Sequence, residues 1–427
     1  LSRFFKKERM MKELALLMIV FLTAGCATHV YYVEQASSQE KVDKESINIF
    51  VDAFGSIYPK SGLDSNIAKS IDKYDGLYEL IISEEFDCTS IKASTEVEQL
   101  CTIKDKQKAL DHWRIVQNKI WKSRAKHIYQ SLIGTERELI VLIHGYNNNF
   151  NESSNNFELF KEHISKYAEP ESREFLFVNI HWDGFEGNPI SGAWSRAQSS
   201  GPLVGFQLRQ LFNLLAEQFV NNGINPPSLK IFTHSSGAFI VGGLLGNPYY
   251  ALPNLQQPQE SEYKLFRKYR KGEPSDGLYR IPTFSSVTVG MIAAATPTST
   301  FNVPSDKEEH RVGLLAPNSS LVFSINSRDI ALGKLFRISN LSFLGATGAG
   351  ADKKLFCRYL SGMPEAKQNV LSVNAIEFED KEAPWYSVYD EHSLGGNGYF
   401  ARIEETKSFF DSVLNERHEK RNLINCN

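Results

Sequence analysis

Residues 229–245 read LKIFTHSSGAFIVGGLL. The stretch 229–233 has the length and composition of a short buried strand, and the run that begins at Ala238 has those of a helix. Between them stands Ser235, inside Thr233-His234-Ser235-Ser236-Gly237. Small residues flank this serine, as they must where a chain turns sharply from strand to helix and brings two backbones close. A strand running straight into a helix is the repeating unit of a parallel sheet, and the same alternation extends on both sides.

Upstream, residues 138–150 read ELIVLIHGYNNNF, an apolar run ending in His144-Gly145 and three asparagines. FELFKEHISKY, 157–167, places Phe157, Phe160, Ile164 and Tyr167 on one helical face, and FLFVNIHW, 175–182, is a further strand. A helix is expected near 201–220, with Phe206, Leu211, Leu215 and Phe219 inward, ended by Asn222-Gly223 and two prolines. Downstream, strands are expected over 286–295, 321–325 and 370–378, and a terminal helix around 402–415. The pattern predicts an α/β domain over 136–416, with a mostly parallel sheet flanked by helices. Before it, residues 46–135 read as an N-terminal extension with a strand in 46–54 and a helix over 105–132. Residues 247–281 form an irregular insertion holding Tyr249, Tyr250, Tyr263, Phe266, Tyr269 and Tyr279, either a cap over a pocket or a solvated excursion. Residues 417–427 are a tail.

The chemistry follows from the order of three residues. THSSG resembles the nucleophile elbow G-x-S-x-G, in which a tight turn exposes the serine oxygen at the top of a sheet. Gly237 supplies one of the two small positions, and Thr233 stands in the other. A serine attacking a carbonyl needs backbone N–H groups to hold the oxyanion: that of the following residue, Ser236, and one from the loop after an earlier strand, Tyr146. Gly145 lets that loop turn beside the substrate, and His144 braces it rather than acting as acid or base. The serine also needs a base, and the base an orienting carboxylate; in the folds whose nucleophile elbow this stretch resembles, the chain order is Ser, then Asp or Glu, then His. LVFSINSRDIAL places Asp329 just past a strand, and YDEHSLGGNGYF places His392 after the last one. The loop after the preceding strand reads AAATPTS and carries no carboxylate, which favours Asp329. Asp390 is the rival orienter, although its side chain would have to fold back along one loop. Taken alone, His392 reads as a surface loop histidine; the ordered trio with Ser235 and Asp329 is what makes it the base.

HGYNN, THSSG, NSRD with AL, and EHS, in this order, resemble the α/β-hydrolase family of unknown function marked by an HGYN signature. The resemblance covers residues 139–410. It implies an α/β-hydrolase fold with Ser235 as nucleophile, Asp329 as acid and His392 as base. The reaction expected of such a trio is attack on the carbonyl of a small acyl ester or similar substrate, with no cofactor. It leaves the insertion, the N-terminal extension and the substrate unassigned.

Composition narrows the alternatives. The chain has 427 residues, 42% hydrophobic and 23% charged, enough for a substantial core. A formal charge of -3 gives no basic excess of the kind that neutralises phosphates, so a nucleic-acid partner is not expected. Residues 345–350 imitate the glycine spacing of a phosphate-binding loop, but Ala351-Asp352 stand where Lys and Ser or Thr are required. No H-E-x-x-H and no paired C-x-x-C occur, so no metal site is expected.

The first 25 residues read as a signal peptide, with Lys6, Lys7, Arg9 and Lys12 before a short apolar core and Thr23-Ala24-Gly25 before Cys26. LTAGC resembles the bacterial lipobox, which implies lipid attachment at Cys26 and an anchor in the cell envelope. Ala27 after the cysteine favours the outer membrane. An ordinary secretory signal with an incidental Cys26 is the alternative. Residues 26–45 then read as a polar tether. Cys88, Cys101, Cys357 and Cys426 are open to disulfide pairing or to burial as free thiols. A different class of function, a non-catalytic envelope module that binds a partner through its tyrosine-rich insertion, uses the same scaffold.

Overall fold

The computed structural model describes residues 28–37, 45–59, 76–81, 83, 95–187, 193–245, 282–296, 319–326, 329–333, 370–378 and 392–415. The expectations for the signal peptide, Cys26, the 247–281 insertion, the 345–350 turn, Asp390, the tail and the pairing of Cys88, Cys357 and Cys426 lie outside these residues.

Among the described residues seven strands form one sheet in the order β1-β3-β2-β4-β5-β6-β7, every pair parallel. They are β1 Ser46–Val51, β2 Glu138–Ile143, β3 Phe175–Trp182, β4 Leu229–His234, β5 Val287–Ile292, β6 Ser319–Ile325 and β7 Val370–Glu377. The helices are α1 Val33–Ser37, α2 Leu77–Ile81, α3 Thr95–Thr102, α4 Lys106–Leu132, α5 Phe150–Tyr167, α6 Ala193–Asn221, α7 Gly237–Leu245, α8 Ile330–Gly333 and α9 Ile403–Leu414. The central strands are apolar on both sides because both sides are covered, as a parallel sheet requires. Leu139, Val141 and Ile143 of β2 face Trp121 and Ile128 of α4 and Leu208 and Leu211 of α6 in one core. Ile140 and Leu142 face the other way, into a second core with Phe157, Phe160 and Ile164 of α5 and Phe409, Phe410 and Val413 of α9. The predicted α/β architecture is therefore the observed one.

Two helices begin earlier than the apolar periodicity predicts. Asn149 caps α5 by accepting from the N–H groups of Asn151 and Glu152, while Glu152 accepts from the N–H of Asn149, so the helix starts at Phe150 rather than near 157. The α6 helix starts at Ala193 and carries Pro202 inside it, where the sequence suggests a start near 201. Close packing holds that region: a Cβ at Gly205 would lie 2.1 Å from the carbonyl oxygen of Ile240, and one at Gly243 would lie 2.2 Å from that of Pro202. Helices α6 and α7 thus meet backbone to backbone, as only glycine allows.

The N-terminal region is more closely integrated than its polar composition suggests. Residues 46–51, expected as a strand of an extension, are the edge strand of the main sheet, in register with β3 from Ser46 opposite Phe177 to Val51 opposite Trp182. The stretch 28–37, expected within a polar tether, folds onto the ends of the strands and buries Val30, Tyr32 and Ala36. Apolar residues dispersed among polar ones show no periodicity in sequence, and here they are buried by a surface that other segments build.

Candidate active site

Seen from the elbow outward, Ser235 directly follows β4 with φ of +53°, a conformation that L residues rarely adopt. Its N–H donates to the carbonyl of Ile292 at 2.9 Å and its own carbonyl accepts from Ala295 at 3.1 Å, so the end of β5 pins the strained turn. Thr233 in place of a glycine is accommodated by Gly237. A Cβ at Gly237 would lie 2.1 Å from Thr233 Oγ1 and 2.8 Å from the carbonyl oxygen of His144, so the threonine side chain fills the space that a second side chain would need.

The loops after β6 and β7 bring the other two predicted residues to this serine. His392 Nε2 lies 2.9 Å from Ser235 Oγ, and His392 Nδ1 lies 2.8 Å from Asp329 Oδ2. With Asp329 ionised, Nδ1–H donates to the carboxylate, which leaves Nε2 as the acceptor for the serine hydroxyl. Asp329 is fully buried. Tyr399 OH donates to its Oδ2 at 3.0 Å and the N–H of Leu332 to its Oδ1 at 3.2 Å. Burial is the largest influence on Asp329 and opposes its ionisation, but the His392 charge, the His392 and Tyr399 hydrogen bonds and the Leu332 N–H together hold its pKa below the ordinary carboxylate value. For His392 burial is again the largest influence and opposes its charge, and the Asp329 carboxylate outweighs it and raises the pKa.

Two residues that the sequence reading does not assign complete this cluster. Tyr399 is one, through its bond to Asp329. His234, the residue before the nucleophile, donates from Nε2 to the carbonyl oxygen of His392 at 2.8 Å. His234 lies inside the quoted motif, but its partner is a main-chain oxygen from a distant loop, which no side-chain pattern announces. Tyr399 likewise carries no signal beyond its position shortly after His392.

The other wall is the loop after β2. A Cβ at Gly145 would lie 3.0 Å from Ser235 Cβ, so this loop runs against the serine itself. His144 is buried and neutral: Nδ1–H donates to the Gly145 carbonyl at 2.7 Å and Nε2 accepts from the Trp182 N–H at 3.1 Å. Desolvation pulls its pKa down to about 4. Trp182 Nε1 returns a bond to the His144 carbonyl at 2.8 Å. The three asparagines have separate tasks. Asn147, at φ of +57°, donates from its N–H to the Phe185 carbonyl at 3.0 Å; Asn148 Nδ2 ties back to the Tyr146 carbonyl at 2.7 Å; and Asn149 caps α5. Among the described residues, the backbone N–H groups of Tyr146 and Ser236 have no hydrogen-bond acceptor, which leaves both donors for a ligand. The Tyr146 ring meets Trp194 edge to face at 5.0 Å.

No protein-family profile and no curated protein matches the chain. Among solved structures it is similar to the crystal structure of esterase PE8, with 12% identity and a TM-score of 0.26, covering 66% of this chain and 94% of that one. It is also similar to an uncharacterized protein from Pseudomonas aeruginosa, with 12% identity and a TM-score of 0.19, covering 52% of this chain and 39% of that one. At these values the likeness bears on neither substrate nor mechanism.

Proposed function

We propose that the protein is a serine hydrolase acting on an ester-type carbonyl, with Ser235 as nucleophile, His392 as general base and acid, and Asp329 as the group that orients and stabilises the imidazolium. One observation carries this reading: the Asp329–His392–Ser235 relay has hydrogen bonds of 2.8 and 2.9 Å and ends on a serine held at φ of +53°. A module that only binds a partner has no use for a strained serine in contact with a buried acid–base pair, and backbone strain persists only where the surroundings enforce it.

In the first step Ser235 Oγ attacks the carbonyl carbon while His392 Nε2 takes its proton. The oxyanion then accepts from the N–H groups of Ser236 and Tyr146, and each such donor is worth about 3 kcal/mol in the barrier. His392 returns the proton to the leaving alkoxide, which departs as the alcohol, and a water activated by the same imidazole hydrolyses the acyl-enzyme. Asp329 stays ionised throughout, which its low pKa favours. The reaction needs no cofactor. We assign the protein to the bacterial cell envelope, anchored through lipid on Cys26 in the outer membrane, on the strength of LTAGC followed by Ala27.

The test is covalent labelling with a serine-reactive phosphonate. The purified protein is expected to be labelled once per chain and the Ser235→Ala variant not at all. Equal labelling of both, or of neither, would remove the enzyme reading. For the anchor, replacement of Cys26 by Ser is expected to move the protein out of the membrane fraction.

A further inference from the structure

We propose that the catalytic edge of this protein is held against the bilayer and that its substrate is an acyl ester presented by the membrane. The proposal rests on the hydrolase reading and on Cys26 as the anchor.

The observation behind it is that the folded contacts of the described chain begin at Thr28, two residues after the anchor. Thr28 donates to the Glu186 carbonyl at 2.9 Å and accepts from the Glu186 N–H at 2.8 Å, a two-bond clamp. Beyond it the N–H of Val30 donates to Asp183 Oδ1 at 2.8 Å, His29 pairs with the same carboxylate, and Tyr32 OH donates to the Trp182 carbonyl at 2.9 Å. Residues 28–32 are therefore fastened to the end of β3 and the loop that follows it. Cys26 lies two residues before Thr28, and two residues of extended chain span at most about 7 Å. A free tether of the expected length would let the domain turn in any direction and stand well away from the membrane. This chain begins its folded contacts almost at once.

What the clamp holds is the wall of the site. A Cβ at Gly184 would lie 3.0 Å from the Gly145 carbonyl oxygen and 3.2 Å from Tyr146 Cα. Asn147 donates to the Phe185 carbonyl at 3.0 Å, and Asn147 Oδ1 accepts from Gly187 at 3.0 Å. The next contact inward from Gly145 is Ser235. Thr28, the 183–187 loop, the Gly145-Tyr146 loop and the serine thus form one continuous run of contacts along the edge where β2, β3 and β4 end. Acyl chains attached at Cys26 and inserted in a leaflet bring this edge to the headgroups, with the partly buried Tyr31 beside it. Tyrosine is favoured at that depth. No helix among the described residues is long and apolar enough to cross a membrane.

The experiment compares two substrates on one enzyme. The lipid-modified protein is reconstituted in vesicles of phosphatidylethanolamine and phosphatidylglycerol containing a long-chain fluorogenic ester, and is assayed separately on a water-soluble short-chain nitrophenyl ester. A variant carries a 20-residue Gly-Ser insertion between Ala27 and Thr28, which leaves every contact above intact but adds a reach of roughly 25 Å. The insertion is expected to leave turnover of the soluble ester within twofold and to lower turnover of the vesicle ester at least tenfold. Equal turnover of the vesicle ester by both proteins would overturn the proposal, as would a Cys26→Ser protein that stays in the membrane fraction. If Ser235→Ala matches the wild type on the soluble ester, the hydrolase reading itself fails and takes this proposal with it.

Discussion

His234 and His392 are joined by a hydrogen bond from an imidazole to a main-chain carbonyl, Nε2 to O at 2.8 Å, so the residue before the nucleophile carries the loop that delivers the base. Burial, and next the proximity of His392, pull the His234 pKa down to about 3. The neutral ring carries its proton on Nε2, and its Nδ1 has no partner among the described residues.

Replacing His234 by Phe keeps a ring of similar size and deletes the donor. Turnover of a soluble ester is expected to fall about 10- to 100-fold, the usual consequence of misplacing a catalytic group by a fraction of an ångström to one ångström. KM should move little. His234→Gln retains an N–H and should recover part of the loss. Equal kcat in the Phe and Gln variants would show that the bond to His392 has no positioning role.

The acid side of the pH profile reports His392, which must be neutral to accept the serine proton. Asp329 raises its pKa, so activity should be lost as pH falls through a midpoint above the ordinary imidazole value of 6.5. Asp329→Asn removes the attraction and leaves burial, which lowers the pKa. The acid limb should then move to lower pH while kcat drops on the order of 10³- to 10⁴-fold. A limb that stays in place in the Asn variant would mean that Asp329 does not act on His392.

Tyr399→Phe deletes one donor from a fully buried carboxylate. Hydrogen bonds to charged groups contribute about 1.5–3 kcal/mol, and a loss of that size is expected in urea unfolding. Because the Tyr399 bond lowers the Asp329 pKa, its removal should let that pKa rise. Unchanged stability would indicate that another group or water replaces the phenol.

The elbow makes a prediction about a pair. Gly237→Ala drives a methyl group into Thr233 Oγ1 and the His144 carbonyl oxygen and should cost about 1–3 kcal/mol. Adding Thr233→Ala removes the first of these clashes but not the second. The double variant should therefore be more stable than additivity predicts, yet below wild type. Strict additivity would contradict the contact.

Asp52 lies outside the site and tests the N-terminal packing. Its Oδ1 accepts from Phe54 at 3.0 Å and Ser56 at 2.7 Å, and its Oδ2 from Leu77 at 2.9 Å. Burial, opposed by these three N–H groups, raises its pKa from 3.8 to about 6. Asp52→Asn would aim an amide N–H₂ at at least one of these donors and should destabilise by about 1–3 kcal/mol. A raised folded pKa means that the stabilising contribution of Asp52 is complete below the unfolded value of 3.8 and declines as pH rises through about 6. The penalty for the Asn variant should shrink over that window, and a constant penalty would exclude the shift.

Much of the frame is legible in the chain. FLFVNIHW reads as a strand over 175–182 and β3 has those bounds, because a continuous apolar run between helical faces can be satisfied only inside a sheet covered on both sides. The 105–132 reading differs from α4 by one residue, since Asp105 is its cap. Ser235, Asp329 and His392 are nameable in advance because each follows a strand of a parallel sheet, and such strands end on one common edge. Helix starts are less legible: the polar turns of α5 before Phe157 depend on a reciprocal cap rather than on an apolar face.

Sequence by itself determined the alternation of strands and helices and the order of the three reactive side chains, because both are written in local pattern. Only the tertiary structure decided that residues 28–32 are fastened to the end of β3 and the loop after it, that His234 holds His392, and that Tyr399 steadies Asp329. Each of these contacts joins distant residues, and two of them engage main-chain carbonyls that every residue carries. Such bonds leave no compositional trace and exist only once the sheet has brought its loops together.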